Sequence, residues 1–270
     1  VHMYRRAMAS FADISRGWTI QRRVIGALLM REVLTRFGRH NIGFLWLFVE
    51  PMLFTIGITA LWYLAGANHG SSLPIIAFAL TGYSSVLLWR NMPARCIQAI
   101  EPNRGLLAHR RVKVLDLFIT RIVLEAAGAT ISLLVLSLFY ISAGLLDPPE
   151  DVLMVIVAWF LLAWFGAALA IFVGAIAFFS EVVDKIWHPF SYILFPLSGS
   201  GFLVSVLPPA AREVIMFVPM VHGIEMLREG YFGSQVVSYY NPWYIISFSS
   251  ILTLLGLFIL RRVAREVTTG

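Results

Sequence analysis

The sequence predicts an all-α integral membrane protein with six transmembrane helices. Three observations carry this expectation. First, 59% of the 270 residues are hydrophobic and only 13% are charged, whereas soluble domains carry about a quarter charged residues. A soluble fold would lack the charges to cover its surface. Second, the apolar runs approach the ~20 residues that a membrane-crossing helix requires. Third, the cations gather between those runs. Segments 3–43, 90–113 and 261–270 carry eight, six and three Lys or Arg, and loops 67–72 and 147–151 carry none. Six spans with both termini cytoplasmic satisfy this bias. The weakest fit is loop 180–188, where Lys185 is the only Lys or Arg.

This distribution also argues against nucleic acid as the partner of a chain with net charge +6. The single cysteine, Cys96, excludes an intrachain disulfide and a cysteine-based metal site. Val1-His2 ahead of Met3 reads as a cloning remnant, and no cleavable signal peptide is expected. One domain is expected over 1–270, with a cytoplasmic segment (1–43), a six-span region (44–260) and a cytoplasmic tail (261–270).

The chain leads with eight arginines, from Arg5 to Arg39, against Asp13 and Glu32. From Ala27 to Phe37 a helical wheel places Met30, Val33, Leu34 and Phe37 on one side. Arg31, Glu32, Thr35 and Arg36 fall on the other. Leu28 and Leu29 break this split, and the stretch reads either as an amphipathic interface helix with its arginines towards anionic headgroups or as a juxtamembrane basic segment that only sets orientation. The lead runs without a spacer into span 1, Phe44–Gly66, where Pro51 is expected to kink the helix just past Glu50. Span 2 is expected over Leu73–Trp89. The basic segment behind it should hold a short cytoplasmic helix over Pro93–Ile100, with Asn91 as a possible cap and Pro102 and Gly105 as stops.

Span 3 is placed at Arg121–Leu146 and span 4 at Val152–Phe179. The run from Ile186 is interrupted by Pro189, Pro196 and Ser198-Gly199-Ser200-Gly201. It reads as a fifth span to about Pro196, then a bend and a return segment. Such broken backbone is tolerated only where protein or a water-filled cavity surrounds it. Residues 209–241 are too polar to span and too apolar for a free loop, so short helices dipping into the outer leaflet are expected. Span 6 covers Pro242–Leu260 and is closed by Arg261, Arg262 and Arg265.

The motifs exclude more than they assign. Lys113 and Lys185, the only lysines, follow Val112 and Asp184. A Walker A motif needs Gly-Lys-Ser/Thr, so any ATP-driven work must come from a partner. His222, Glu225 and Glu229 share a helical face at i, i+3 and i+7, short of a full metal-ligand set. They are read as an exposed polar face with local Glu–Arg pairing. Ser200 lies between Gly199 and Gly201, yet Ser198 and Phe202 stand where G-x-S-x-G needs glycine. Glu50, Arg121 and Glu125 lie near span ends and are functional candidates by their depth. Equally, Arg121 and Glu125 at i,i+4 can pair on their own helix while Glu50 snorkels to water.

Three pieces of sequence carry a family resemblance. Arg31-Glu32-x-x-x-Arg36-Phe37-Gly38-Arg39 with Gly43-x-x-Trp46 and Glu50-Pro51 resembles the start of ABC-2-type permeases. It is most similar to the inner-membrane permease of capsular-polysaccharide exporters, the KpsM type. Asn103-x-Gly105-Leu106-Leu107 with Val112-Lys113 and Leu115-Asp116 is similar to that family's first cytoplasmic loop. Glu225-Met226-Leu227-Arg228-x-Gly230-Tyr231-Phe232-Gly233 is similar to the motif ahead of its last span.

The resemblance implies a transport permease and not an enzyme. It implies a homodimer with two cytoplasmic ABC ATPase subunits that bind ATP and Mg, and no cofactor in this chain. It implies a coupling helix at about 93–107, with Arg31, Arg36, Pro93, Arg95, Asn103, Arg104 and Leu106 as the ATPase-coupling set. Outer-side re-entrant gate helices are implied between spans 5 and 6, with Ser200, Glu225, Arg228 and Tyr231 as gate residues. The implied cargo is lipid-linked acidic polysaccharide, passed to a periplasmic-spanning co-polymerase-like protein and an outer-membrane export protein of a Gram-negative cell. Aromatic faces stack on sugar rings, so Trp46, Trp62, Tyr63, Trp159 and Trp164 join Glu50, Arg121 and Glu125 as path candidates. Basic side chains at the inner mouth (Arg36, Arg39, Arg90, Arg104, Arg110 or Arg111) are expected either to attract a polyanion or only to fix topology. An exporter of O-antigen or teichoic acid would share this fold. The distant alternative is a membrane-embedded lipid-linked sugar transferase, with only the His222 segment to serve it.

Overall fold

The computed structural model describes residues 2–37, 45–66, 73–107 and 112–269, and side chains over 17–35, 45–66, 73–107 and 112–267. Among the described residues ten α-helices follow one another: α1 (His2–Phe37), α2 (Trp46–Leu64), α3 (Ile75–Ile97), α4 (Arg104–Leu107), α5 (Val114–Ser142), α6 (Val152–Ala177), α7 (Glu181–Leu197), α8 (Pro209–Ile215), α9 (Pro219–Phe232) and α10 (Pro242–Thr269). No strand occurs among the described residues. Gly38, Arg39, Gly43, Arg110, Arg111 and loop 67–72, all used in the sequence reading, lie outside the described residues, as does the side chain of Arg36.

Among the described residues four helices are long and apolar enough to cross a membrane: α2, α5, α6 and α10 as far as Val267. Within their most apolar windows only 17–33% of residues are buried. Their remaining apolar surface faces outward, as expected of helices solvated by lipid.

Helix α3 is different. Every residue from Ala77 to Trp89 is buried, including Thr81, Ser84 and Ser85. It is enclosed by α2, α5, α6, α7 and α9. A helix buried all round needs no polar stripe of its own. Two of its hydroxyls bond back to its own backbone, Thr81 to the Ala77 carbonyl at 2.9 Å and Ser85 to that of Gly82. The core follows from this centre. Trp89, Met92 and Cys96 of α3 meet Phe118 of α5, Leu162 and Phe165 of α6, and Ile224 and Leu227 of α9.

Several boundaries differ from those the sequence predicts. Pro93 does not start a separate helix, because α3 runs through it to Ile97. A 3-10 turn (Glu101–Asn103) and the single turn α4 follow, so 93–107 holds three short pieces and no single helix. Helix α5 starts seven residues before Arg121, with the Asp116 carboxylate accepting the Lys113 backbone N–H at 2.8 Å. This reciprocal cap closes the first turn. It ends at Ser142, and Leu146 lies in the loop beyond. The stretch 181–188 is the first half of α7 and not a loop. There Glu181 and Asp184 occupy the first turn, where the helix dipole favours carboxylates. The tail from Arg261 continues α10 to Thr269.

One side of the lead packs against the bundle. Its inward face carries Gln21, Val24, Leu28 and Glu32, and Leu28 is buried in the core against which Val24 packs. Met30 and Leu34, expected to lie on the apolar contact face, are 63% and 46% exposed. The partners that α1 meets on α5 and at 103 are Asp116, Arg121 and Asn103, which select its polar side chains.

Candidate functional site

Three helices build a polar cleft at the end of the bundle where the cations gather. On α3, Leu87, Arg90, Asn91 and Ala94 recur at helical spacing and so share one face. With Glu50, Pro51 and Phe54 of α2 and Trp187, His188, Ser191 and Tyr192 of α7 they line a cavity of about 350 Å³. A second space of about 220 Å³ continues it past Arg95 and Gln98. Among the described residues Glu50 is the only carboxylate lining either space. The Arg90 guanidinium stands 4.4 Å over the Tyr192 ring, a contact that orients a cation without neutralising it. With Glu50 in its wall and Arg95 paired to Glu125, the cleft carries charges of both signs, and Arg90 is held beside an aromatic face.

Above the cleft the same helices bring three aromatic rings together around Tyr83. Its ring centroid lies 6.5 Å from Phe54, 6.2 Å from Trp62 and 5.7 Å from Phe195. Of the aromatics expected to face a path, only Trp62 joins this group. Trp46 and Tyr63 are 50% and 67% exposed on α2. Trp159 is buried and its indole N–H donates to Thr130 at 2.9 Å; that of Trp164 donates to Thr253 at 3.3 Å. Both belong to α6, which does not line the cleft.

A pinned cluster lies beyond the aromatic rings. Arg228 of α9 is fully buried. Its Nη1 donates to the carbonyls of Gly199 at 2.7 Å and Phe202 at 2.6 Å, and its Nη2 to that of Ser200 at 2.6 Å. The guanidinium lies 4.0 Å over the Phe78 ring. Glu225, one turn earlier, approaches Arg228 at 3.9 Å. Its carboxylate accepts the backbone N–H groups of Val204 at 3.3 Å and Tyr239 at 3.2 Å. One ion pair thus satisfies the turn after α7, where Gly199 takes φ +83°, and holds it against α3. Burial raises the Glu225 carboxyl and pulls Arg228 down to about 10, so the guanidinium keeps its charge at neutral pH.

The expected exposed polar face on α9 is therefore corrected. His222, Glu225 and Arg228 are 3%, 1% and 0% exposed, because each finds backbone partners inside the protein. His222 Nδ1 accepts the Asn241 N–H at 2.9 Å, which leaves Nε2 protonated to donate to the Met216 carbonyl at 2.8 Å. Both nitrogens are committed to backbone, so neither is free for a metal. Tyr231 sits apart from the pin and donates to the Asp147 carbonyl at 2.8 Å, tying loop 147–151 to α9.

Gly82 of α3 is where the turn comes closest. A Cβ there would stand 2.3 Å from the Ser200 carbonyl oxygen and 2.9 Å from Arg228 Nη2. Gly82→Ala is expected to destabilise the protein by about 1–3 kcal/mol through overpacking. The check is the melting temperature in detergent, which should fall while Gly57→Ala, where a Cβ meets nothing within 4 Å, leaves it near wild type.

A chain of polar contacts ties α1 to α3 and α5 at the cation-rich end. Gln21 donates to Asp116, Arg31 to the Asn103 side chain at 2.7 Å, and Glu32 pairs with Arg121 at 3.3 Å. Arg121 also donates to the Arg95 carbonyl, and Arg95 pairs with Glu125 at 3.1 Å. Arg121 and Glu125 thus each reach another helix. The contact chain joins Arg31, Arg95 and Asn103 of the expected coupling set to two path candidates. Arg104 pairs with Glu101 at the surface at 2.7 Å, Pro93 is buried in α3, and Leu106 packs against the core. Sequence reasoning missed Phe78, Gly82 and Tyr83, which carry no local motif. Arg228 beside Phe78, Ser200 beside Gly82 and Phe195 beside Tyr83 are each more than a hundred residues away in sequence.

A family model described as ABC-2 type transporter matches residues 23–232. The chain is 47% identical over 248 residues to the capsule polysaccharide export inner-membrane protein CtrC of Neisseria meningitidis serogroup B, covering 92% of this chain and 94% of that protein. It is 44% identical over 248 residues to the capsule polysaccharide export inner-membrane protein BexB of Haemophilus influenzae, with the same coverage. It is 25% identical over 257 residues to the polysialic acid transport protein KpsM of Escherichia coli, covering 94% of this chain and 98% of that protein.

Proposed function

The chain belongs to the ABC-2 type transporter family, and from that premise we propose that it is the permease of an ATP-driven exporter of lipid-linked acidic capsular polysaccharide. The polymer would cross the inner membrane of a Gram-negative cell from the cytoplasm. The observation that carries the reading is the 44–47% identity, over 92% of the chain, to inner-membrane proteins named for capsule polysaccharide export. The polar, aromatic-flanked cleft between α2, α3 and α7, with Arg90 in its wall, supports it chemically. Arginine pairs well with carboxylate or phosphate, and aromatic faces offer flat apolar surfaces to sugar rings.

In this reading six spans cross the bilayer: α2, α3, α5, α6, α7 with its broken continuation, and α10. Both termini are cytoplasmic, as the distribution of cations favours. The chain has no Gly-Lys-Ser/Thr, so hydrolysis takes place on a separate ATPase subunit. Two copies of the permease work with two such subunits, which act on α1 and the 93–107 region. The contact chain through Glu32, Arg121, Arg95 and Glu125 gives that stroke a route into α3, which lines the cleft. The turn pinned by Arg228 would close the outer side, where the polymer passes to periplasmic-spanning and outer-membrane proteins.

Affinity purification of the tagged chain from its own cells tests the assembly. An ATPase should co-purify, and purified permease should stimulate it. Neither result appearing would remove the permease reading. Arg90→Gln tests the cleft itself. Cell-surface polysaccharide is expected to fall several-fold at unchanged permease level, since one cation facing a polyanion contributes about 1 kcal/mol. Unchanged surface polymer would remove Arg90 from the path.

A further inference from the structure

Away from the cleft, an apolar groove of about 690 Å³ opens between the start of α5 and the last turns of α10. Leu107, Val114, Leu257 and Phe258 form its walls, and Lys113 and Arg261 stand at its mouth. We infer that this groove holds one anionic phospholipid of the inner leaflet, its phosphate between Lys113 and Arg261 and an acyl chain along α10.

Charge, level and surface each favour this occupant. Lys113 and Arg261 are exposed, and no carboxylate is among the residues lining the groove. The carboxylate beside Lys113, that of Asp116, is 2% exposed and is held by the Lys113 backbone N–H and the Gln21 side chain. The mouth is therefore cationic, and a second apolar helix would leave both charges without a partner. The two cations mark one level, where α5 begins and where the apolar part of α10 gives way to Arg261 and Arg262. That is the headgroup level of the leaflet bearing the chain's cations, where basic side chains attract anionic lipid. Below it, Leu254 and Phe258 are 68% and 57% exposed on the face that leads from the groove along the span. An acyl chain covers such a face, whereas inorganic phosphate or a soluble acidic sugar does not.

The inference uses the proposed orientation but not transport, and its test is read without an ATPase or a polymer. The full chain is placed in nanodiscs of equal phosphatidylglycerol and phosphatidylethanolamine, released, and weighed with its bound lipid by native mass spectrometry. Phosphatidylglycerol should be retained in preference. The preference should fall about fivefold for each of Lys113→Gln and Arg261→Gln, since one basic residue near an anionic surface contributes about 1 kcal/mol. It should survive in Lys113→Arg and Arg261→Lys, which separates loss of charge from loss of fold. Lys185→Gln, which removes an exposed cation of α7 outside the groove, should not change it. Millimolar inorganic phosphate should fail to displace the lipid. Equal retention of the two lipids, an undiminished preference in the Gln variants, or displacement by inorganic phosphate would each overturn the inference. So would cross-linking between two copies through Leu254→Cys, because a second copy would then occupy the groove.

Discussion

Arg228→Met is expected to remove the protein from the membrane, or to leave only a small fraction folded. Methionine fills much of the same volume and supplies no donor. The carbonyls of Gly199, Ser200 and Phe202 then lose their partner together, and the Glu225 carboxylate stays buried without its cation. Removing one partner of a buried ion pair costs about 3–5 kcal/mol, a large share of the ~5–15 kcal/mol that holds a typical domain folded. The effect is read as the monodisperse fraction of a fluorescent fusion on size-exclusion chromatography, with surface polysaccharide measured on whatever protein remains. Arg228→Lys keeps a charge but not the planar fork that reaches three carbonyls, so an intermediate loss is expected. Glu225→Gln with Arg228→Met should lose less than the two single losses added, because the unpaired buried charge is gone. A well-folded Arg228→Met variant would show that the turn after α7 does not depend on the pin.

Arg121→Gln is expected to leave a folded permease that exports poorly. Its guanidinium is 12% exposed and serves two elements, the Glu32 carboxylate on α1 and the Arg95 carbonyl on α3. Glutamine keeps some polarity and loses both reaches, so the core persists while α1 is released from α3. Surface polysaccharide should fall about tenfold, the equivalent of ~1.4 kcal/mol, with the ATPase still bound and hydrolysing. Glu32→Gln should produce part of the same defect. In the double variant the two losses should overlap, with a coupling of about 0.5–3 kcal/mol in a thermal-melt cycle. Strict additivity would mean that the Glu32–Arg121 contact does not carry force between the helices.

The legibility of this fold divides along physical lines. Helices α2, α6 and α10 can be read from sequence because lipid solvates their outer faces, and lipid selects apolar side chains whatever the tertiary packing. Helix α3 crosses the centre of the bundle with Thr81, Ser84 and Ser85 in its middle. It is readable as span 2 over Leu73–Trp89, yet hydropathy undervalues it because its neighbours are protein, and the Thr81 and Ser85 hydroxyls bond its own backbone. Helix α9 shows the opposite error. Its charges read as an exposed face, yet their partners are backbone groups of 199–204, 216, 239 and 241. No helical wheel contains those partners. For the same reason Arg228 and Glu225 could be chosen from a motif, while Phe78, Gly82 and Tyr83 could not. The inward face of α1 was also hidden, since the polar surface that selects it comes from residues 103–121.

The most direct test of the account is where the polymer goes in cells from which the chain has been deleted. A permease makes no bonds, so synthesis should continue. Full-length acidic polysaccharide should accumulate inside the inner membrane, and the cell surface should be bare. Expression of the intact chain should restore the surface layer. Undiminished polymer at the surface, or no polymer made at all, would contradict the account; the second result would point to a membrane-embedded sugar transferase instead.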